Sequence, residues 1–127
     1  MNGNSVLLDT NTVLYFLGGD QTLSDFISDK KVYISVITEL ELLGYKKLIS
    51  KELNLVTRFI QAIQVIPITE EIKETTVKIR RSSSIKLPDC IIAATSIAMN
   101  LPLITADKGM KKIPGLDMIL YENNHTE

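Results

Sequence analysis

The stretch Ser5-Val6-Leu7-Leu8-Asp9-Thr10-Asn11-Thr12-Val13-Leu14-Tyr15-Phe16-Leu17-Gly18-Gly19 decides how the rest of the chain is read. Ser5 to Leu8 is too short for a helix and shows no polar alternation, the mark of a strand buried on both faces. Asp9, Thr10, Asn11 and Thr12 are cap-type side chains, the apolar block Val13 to Leu17 follows, and Gly18-Gly19 stops the helix they predict. A buried strand running straight into a helix is the opening of a parallel α/β unit, because parallel neighbours need a crossover.

The alternation continues outward from there. A short helix over Thr22 to Ser28 precedes a strand at Lys31 to Ser35, and Thr38-Glu39-Leu40-Glu41 reads as a capping box before Leu42-Leu43. Leu55, Val56, Phe59, Ile60 and Ile63 recur at helical spacing between about Lys51 and Gln64, and Val65-Ile66-Pro67-Ile68 reads as a strand whose proline suits a sheet edge. Thr69-Glu70-Glu71 opens a helix that carries Ile72 and Ile79 and leads through Arg80-Arg81 into the polar loop Ser82-Ser83-Ser84. Pro88 to Met99 is the most apolar helix, Leu101 to Thr105 a strand, and Met118 to Leu120 a last short strand. The class is α/β: a three-layer α/β/α sandwich around a central, mostly parallel sheet. One domain spans 1–127, with its core at about 5–121 and a polar tail at 122–127.

Composition narrows the function classes. A chain of 127 residues has room for one core, and 45% hydrophobic with 23% charged residues excludes a disordered or low-complexity protein. With 14 Lys and Arg against 15 Asp and Glu, the net charge of −1 provides no global basic field, so a nucleic-acid partner must be met by local patches. Cys90 stands alone, which excludes an intramolecular disulfide and Cys-cluster metal sites and points to a reducing compartment. His125 is the one histidine and lies in the tail, which argues against a Ser-His-Asp or Cys-His triad. No apolar run approaches the roughly 18 residues of a membrane span, and Met1-Asn2-Gly3-Asn4 lacks a basic region, so the chain reads as cytoplasmic.

Ligands of open α/β sheets sit beyond the carboxyl ends of the strands, so acids placed there come first. Asp9 ends the first strand, Glu41 lies in the helix after the second, Asp89 starts the apolar helix, and Asp107 follows the strand ending at Thr105. Strand polarity brings all four to one edge, where their repulsion calls for a positive counterion. Oxygen donors without Cys or His select a hard ion, Mg2+ or Mn2+ rather than Zn2+.

Each acid also has a local reading. Asp9 suits a helix N-cap, Glu41 closes a capping box with Thr38, Asp89 complements a helix dipole, and Asp107 suits an Asx-turn before Lys108-Gly109. Four independent caps have no reason to fall at one edge. Periodicity does not choose between Glu39 and Glu41, which flank an apolar stripe of Val36, Leu40 and Leu43. Lys46, Lys47, Lys51, Arg80, Arg81, Lys86, Lys108, Lys111 and Lys112 are available for phosphate contacts, while Tyr15 and Phe16 read as core. Leu42 and Tyr45 read as spare apolar positions that permit a homodimer.

Two other classes stay open on the residues alone. Aspartate phosphoryl transfer also places Asp after a first strand, although Asn11 stands where such a phosphatase wants a second acid. A noncatalytic interaction module can use the same fold.

Four segments together carry a family likeness. Asp9-Thr10-Asn11 after an apolar strand, Ile34-Ser35-Val36-Ile37-Thr38 followed by Glu41-Leu42, Leu87-Pro88-Asp89 with Ala93-Ala94, and Leu103-Ile104-Thr105-Ala106-Asp107 resemble a PIN-domain ribonuclease. Order and spacing match from about Val6 to Leu120, and the likeness is strongest to the VapC-type toxins of toxin-antitoxin pairs. The resemblance implies a PIN-like sandwich in which Asp9, Glu41, Asp89 and Asp107 hold Mg2+ or Mn2+ and act as the catalytic acids of an endoribonuclease. It further implies an RNA substrate and a small antitoxin protein as partner. The family pattern selects Glu41 and leaves Glu39 as a departure, as is Met110, which stands where relatives often carry an aromatic residue. Asn11 and Thr105 are placed to orient the carboxylates by hydrogen bonds.

Overall fold

The strand Ser5–Leu8 (β1) lies at the middle of the molecule, and the other elements are laid out around it. The structure, a computed structural model, describes residues 4–122; the readings that fall on 1–3 and on the end of the tail, His125 included, lie outside the described residues. After β1 come α1 (Thr10–Leu17), α2 (Gln21–Ile27), β2 (Lys31–Ser35), α3 (Val36–Leu43), α4 (Ser50–Ala62) and β3 (Gln64–Ile66). They are followed by α5 (Glu70–Ser82), α6 (Leu87–Met99), β4 (Leu103–Thr105), a 3₁₀ turn (Lys108–Lys112) and β5 (Met118–Leu120).

The sheet order is β3-β2-β1-β4-β5, and every pairing in it is parallel. The chain steps from β1 to β2 to β3 in one direction, then crosses back over β1 to reach β4 and β5. Because crossovers are right-handed, this reversal places the helices of the two halves on opposite faces. The two cores follow that division. Leu7, Tyr33 and Leu103 face Ile72 and Ile79 of α5 and Ile92, Ala93 and Ala94 of α6. Val6, Leu8, Ile34 and Ile104 face Val13, Leu23, Ile27, Leu42, Val56 and Phe59 from α1 to α4. Leu7 and Leu8, adjacent in sequence and both 0% exposed, therefore belong to different cores. Each contributes about 1.5–3 kcal/mol by burial, which is why the unbroken apolar run is required at this strand.

Several boundaries differ from the expected ones for local physical reasons. The fourth strand begins at Leu103 because Leu101 belongs to the stop of α6: Asn100 turns left-handed at φ 56°, the Leu101 amide donates to Ser96 O at 3.0 Å, and Ser96 Oγ donates to Leu101 O. β3 ends at Ile66, just before Pro67, and lies at the sheet edge, where a residue lacking an N–H costs no ladder bond. The expected Thr38–Glu41 capping box is not formed. α3 is capped by Ser35, whose Oγ accepts from the Ile37 amide at 3.1 Å. The expected stripe of Val36, Leu40 and Leu43 is also overturned, since Leu40 and Leu43 are exposed while Thr38 and Leu42 are buried. An eight-residue helix with apolar residues on every side carries too little periodicity to mark its inner face. Leu42 is thus core and not a spare position, whereas Tyr45 is exposed.

Tyr121, one residue beyond β5, is buried and donates its hydroxyl to Asp20 Oδ2, while Asp20 Oδ1 caps α2 at the Leu23 amide, 2.9 Å away. Tyr15 packs against the Tyr121 ring at 5.7 Å between centroids. This contact ties the last strand to the first helical layer. Burial, followed by the hydrogen bond and negative charge of Asp20, pushes the Tyr121 phenol up to about 12. The folded state therefore holds that proton more tightly than the unfolded chain, and stability falls as pH rises above about 10 toward 12. Tyr121→Phe is expected to cost about 1–3 kcal/mol in urea melts at pH 7. The same variant should lose less stability than wild type between about pH 10 and about 12, the window between the ordinary tyrosine value and the raised one.

Candidate active site

The carboxyl ends of β1, β2 and β4 open on a cavity of about 360 Å³ lined by Asp9, Thr10, Asn11, Leu14, Glu41, Leu42, Tyr45, Leu48, Asp89 and Asp107. It lies beside the point where the chain reverses direction across the sheet, between β1 and β4. All four acids singled out in the sequence are on its wall, and among the described residues no Lys, Arg or His is. Glu39 is not among the lining residues.

Local backbone chemistry holds each acid there. Asp9 is the N-cap of α1, its Oδ1 accepting from the Thr12 amide at 2.9 Å. Asp107 caps the 3₁₀ turn, its Oδ1 accepting from the Gly109 amide at 2.9 Å, and its own amide donates to Thr105 Oγ1 at 3.0 Å. The buried Thr105 thus fixes the turn that carries Asp107 rather than bonding the carboxylate itself. Asn11 is on the cavity wall. Asp89 sits in the first turn of α6 behind Pro88, where the helix dipole favours a negative charge by about 0.3–1 kcal/mol. The local readings and the common edge are both present in the molecule: a cap uses one carboxylate oxygen and leaves the other.

Glu41 is placed differently, through a residue the sequence reading passed over. Thr10 Oγ1 lies 2.5 Å from Glu41 Oε1 and 3.1 Å from Thr38 Oγ1. A carboxylate can only accept, so Thr10 gives its single proton to Glu41 and receives one from Thr38. Thr38 is 0% exposed, so this chain of hydroxyls links α3 to α1 and sets the direction of Glu41. The signal was in Asp9-Thr10-Asn11 itself, where Thr10 reads equally well as an ordinary helix-start residue.

The electrostatics are dominated by like charge. The Asp89 carboxyl is raised above its ordinary value, first by burial and then by the charges of Asp107, Asp9 and Glu41, with Lys86 opposing weakly. Dipole and lysine together fail to offset burial and three neighbouring carboxylates. This is a donor set for a hard divalent cation, with only oxygen ligands and uncompensated negative charge. Among the described residues, no three His, Cys, Asp or Glu side chains stand close enough together to make a ready ligand set.

Comparison with known proteins places the fold. Residues 6–116 match the family model described as PIN domain, and the chain belongs to the PIN-domain family. Its fold is that of a toxin-antitoxin complex component from Klebsiella pneumoniae, with TM-score 0.77, 30% identity, and coverage of 93% of this chain and 99% of that one. FitAcB from Neisseria gonorrhoeae is similar at TM-score 0.73 and 26% identity over 90% of this chain and 96% of that one. VapBC-1 from nontypeable Haemophilus influenzae shares the fold at TM-score 0.79 and 20% identity over 91% and 97%. No curated protein sequence matches the chain.

Crowded carboxylates imply that the site opposes folding when no cation is present. Because the folded state binds the Asp89 proton more tightly than the unfolded chain, stability falls as pH rises from the ordinary carboxylate value of 3.8 into the neutral range. Asp89→Asn is therefore expected to melt a few degrees above wild type at pH 7 in chelator, with the gap closing as the pH is lowered toward 4. Thermal melts across that range check it, and an equal or lower melting temperature at pH 7 contradicts the repulsion.

Proposed function

We propose that this protein is a metal-dependent endoribonuclease and the VapC-type toxin of a toxin-antitoxin pair, acting in the cytoplasm as a single domain. The observation that carries the reading is one cavity at the sheet's carboxyl edge with four acids and, among the described residues, no basic side chain on its wall. Membership of the PIN family and likeness to a chain of the toxin-antitoxin complex from Klebsiella pneumoniae support it. Among the described residues, no helix is long and apolar enough to cross a membrane.

Asp9 and Asp89 would hold the principal Mg2+ or Mn2+ ion, with Asp107 and Glu41 completing its surroundings or holding a second. When bound, the cation offsets charge building on the phosphate and makes water a stronger nucleophile at neutral pH. The remaining work falls to the chain's own groups. The caps at Asp9 and Asp107 hold those carboxylates in place before substrate arrives, so little reorganisation is needed. Glu41, tied to Thr10 through Oε1, keeps Oε2 to accept the attacking water's proton. Leu14, Leu42 and Leu48 form the apolar side of the cavity, which lowers the local dielectric and strengthens those contacts. A small antitoxin would inhibit by bringing Arg or Lys to the same carboxylates, so the inhibitor takes over the cation's charge.

RNA incubated with the protein is expected to be cut in Mg2+ or Mn2+ and left intact in chelator. Asp9→Asn should lower the rate by ~10²-fold or more without loss of fold. Glu41→Gln should be more damaging than Glu39→Gln; the opposite order would reassign the second acid. At about 100 times its dissociation constant the cation should add about 2.7 kcal/mol to stability. Expression of the chain alone should arrest growth, relieved by Asp9→Asn or by coexpression of a small neighbouring gene product, and normal growth with soluble protein would remove the toxin assignment.

A further inference from the structure

A second cleft, of about 530 Å³, adjoins the acidic cavity and shares two of its residues, Asp89 and Asp107. Its other walls are the α5–α6 connector, Ser82 to Lys86, and the 3₁₀ turn with Gly109 and Lys112. The two cavities thus meet across one pair of carboxylates. Among the described residues, on the first side lie Asp9 and Glu41 and no cation, and on the second lie Lys86 and Lys112 and no further acid.

The connector is rigid where it needs to be. Ser82 Oγ donates to Lys78 O at 3.0 Å, and Ser83 Oγ donates to Ile79 O at 2.8 Å and accepts from the Ile85 amide at 3.3 Å. Arg80 Nη1 donates to Ile85 O at 2.8 Å, so this guanidinium is engaged in holding the loop. The groups left over are Ser84, whose hydroxyl bonds no described residue, and the ammonium groups of Lys86 and Lys112, which form no ion pair with one. The ion pairs present among the described residues are Lys30 with Asp29 and Lys73 with Glu70, both away from this cleft.

We infer that this cleft binds the RNA phosphate next to the one being cut, with Lys86 and Lys112 as its cations and Ser84 as a hydroxyl donor. The inference rests on the ribonuclease reading and deepens it by assigning the strand a direction of exit from the acidic cavity. A phosphate at Asp9 or Glu41 meets negative charge unless a cation intervenes, whereas a phosphate against the connector and 3₁₀-turn walls of the second cleft, away from Asp89 and Asp107, meets the positive charge of Lys86 and Lys112 directly. Lysines bind phosphate as point charges and read no bases, so the cleft positions the strand without choosing its sequence. Lys86, Lys112 and Ser84 are positioning residues and not catalytic ones.

The test uses fluorescence anisotropy of a labelled single-stranded RNA oligonucleotide with the full chain in Ca2+, together with steady-state cleavage in Mn2+. Thermal melts of every variant confirm that it folds. Lys86→Ala combined with Lys112→Ala should weaken binding by about tenfold or more at low salt and reduce the log–log salt slope by ~1–2. The cleavage defect should lie more in KM than in kcat, and Ser84→Ala should show a smaller change of the same kind. Lys46→Ala combined with Lys47→Ala provides the competing path along the α3–α4 side. If that pair weakens binding while the Lys86 and Lys112 pair leaves it unchanged, or if wild type binds no RNA, the inference is overturned. Binding that depends on Lys86 and Lys112 without any cleavage by wild type would instead sink the ribonuclease reading and keep the cleft.

Discussion

β1 can be a strand only in the middle of this molecule. Its Leu7 and Leu8 side chains point to opposite faces and both are fully buried, so helices must cover the sheet on both sides. It pairs with β2 on one flank and β4 on the other, and the register of each pairing sets where the neighbouring strand ends. The end of β1 is Leu8, and the next residue, Asp9, is already the cap of α1. Two-faced burial therefore does more than stabilise: it delivers the carboxyl ends of β1, β2 and β4 to a common level, and the acids that follow them arrive together.

Holding like charges at that level has a cost, and the structure shows how it is kept tolerable. Asp9 and Asp107 each cap a helical start, a contact type worth about 1 kcal/mol, and Asp89 sits where a helix dipole favours it. Glu41 receives the Thr10 proton. These local gains oppose the repulsion without cancelling it. Asp89, half-buried and facing the other three, shows the remaining conflict in a raised carboxyl. The dual use of each acid explains why a residue-by-residue reading sees ordinary caps.

The architecture and the acids were legible from the chain because they rest on strong signals: short unbroken apolar runs for parallel strands, and acids directly after them. What was not legible depends on contacts between distant segments. The inner face of α3 is marked by Thr38, a polar residue buried because Thr10 reaches it from another helix, so a hydropathy pattern points to Leu40 and Leu43 instead. Leu101 reads as strand by composition, yet Ser96 and the left-handed Asn100 claim it for a helix stop. Glu41 was separated from Glu39 by family likeness and not by periodicity, and the cavity wall that includes one and omits the other is a tertiary fact. The cleft beside Asp89 was invisible for the same reason, its lysines coming from the connector and the 3₁₀ turn.

The cavity draws its acids from α1, α3, α6 and the turn after β4, segments that span most of the chain. A polypeptide still emerging from the ribosome cannot own such a site: until β4 has paired beside β1, Asp107 has no place to stand, and the first three acids line an open edge. Catalytic competence is then a property of the whole cooperative fold rather than of any fragment, and proteolytic nicking that released the segment after β4 would disarm the molecule at once. On the proposed toxin reading, that places the moment of arming after synthesis of the last strands, when a partner already present in the cell can meet it.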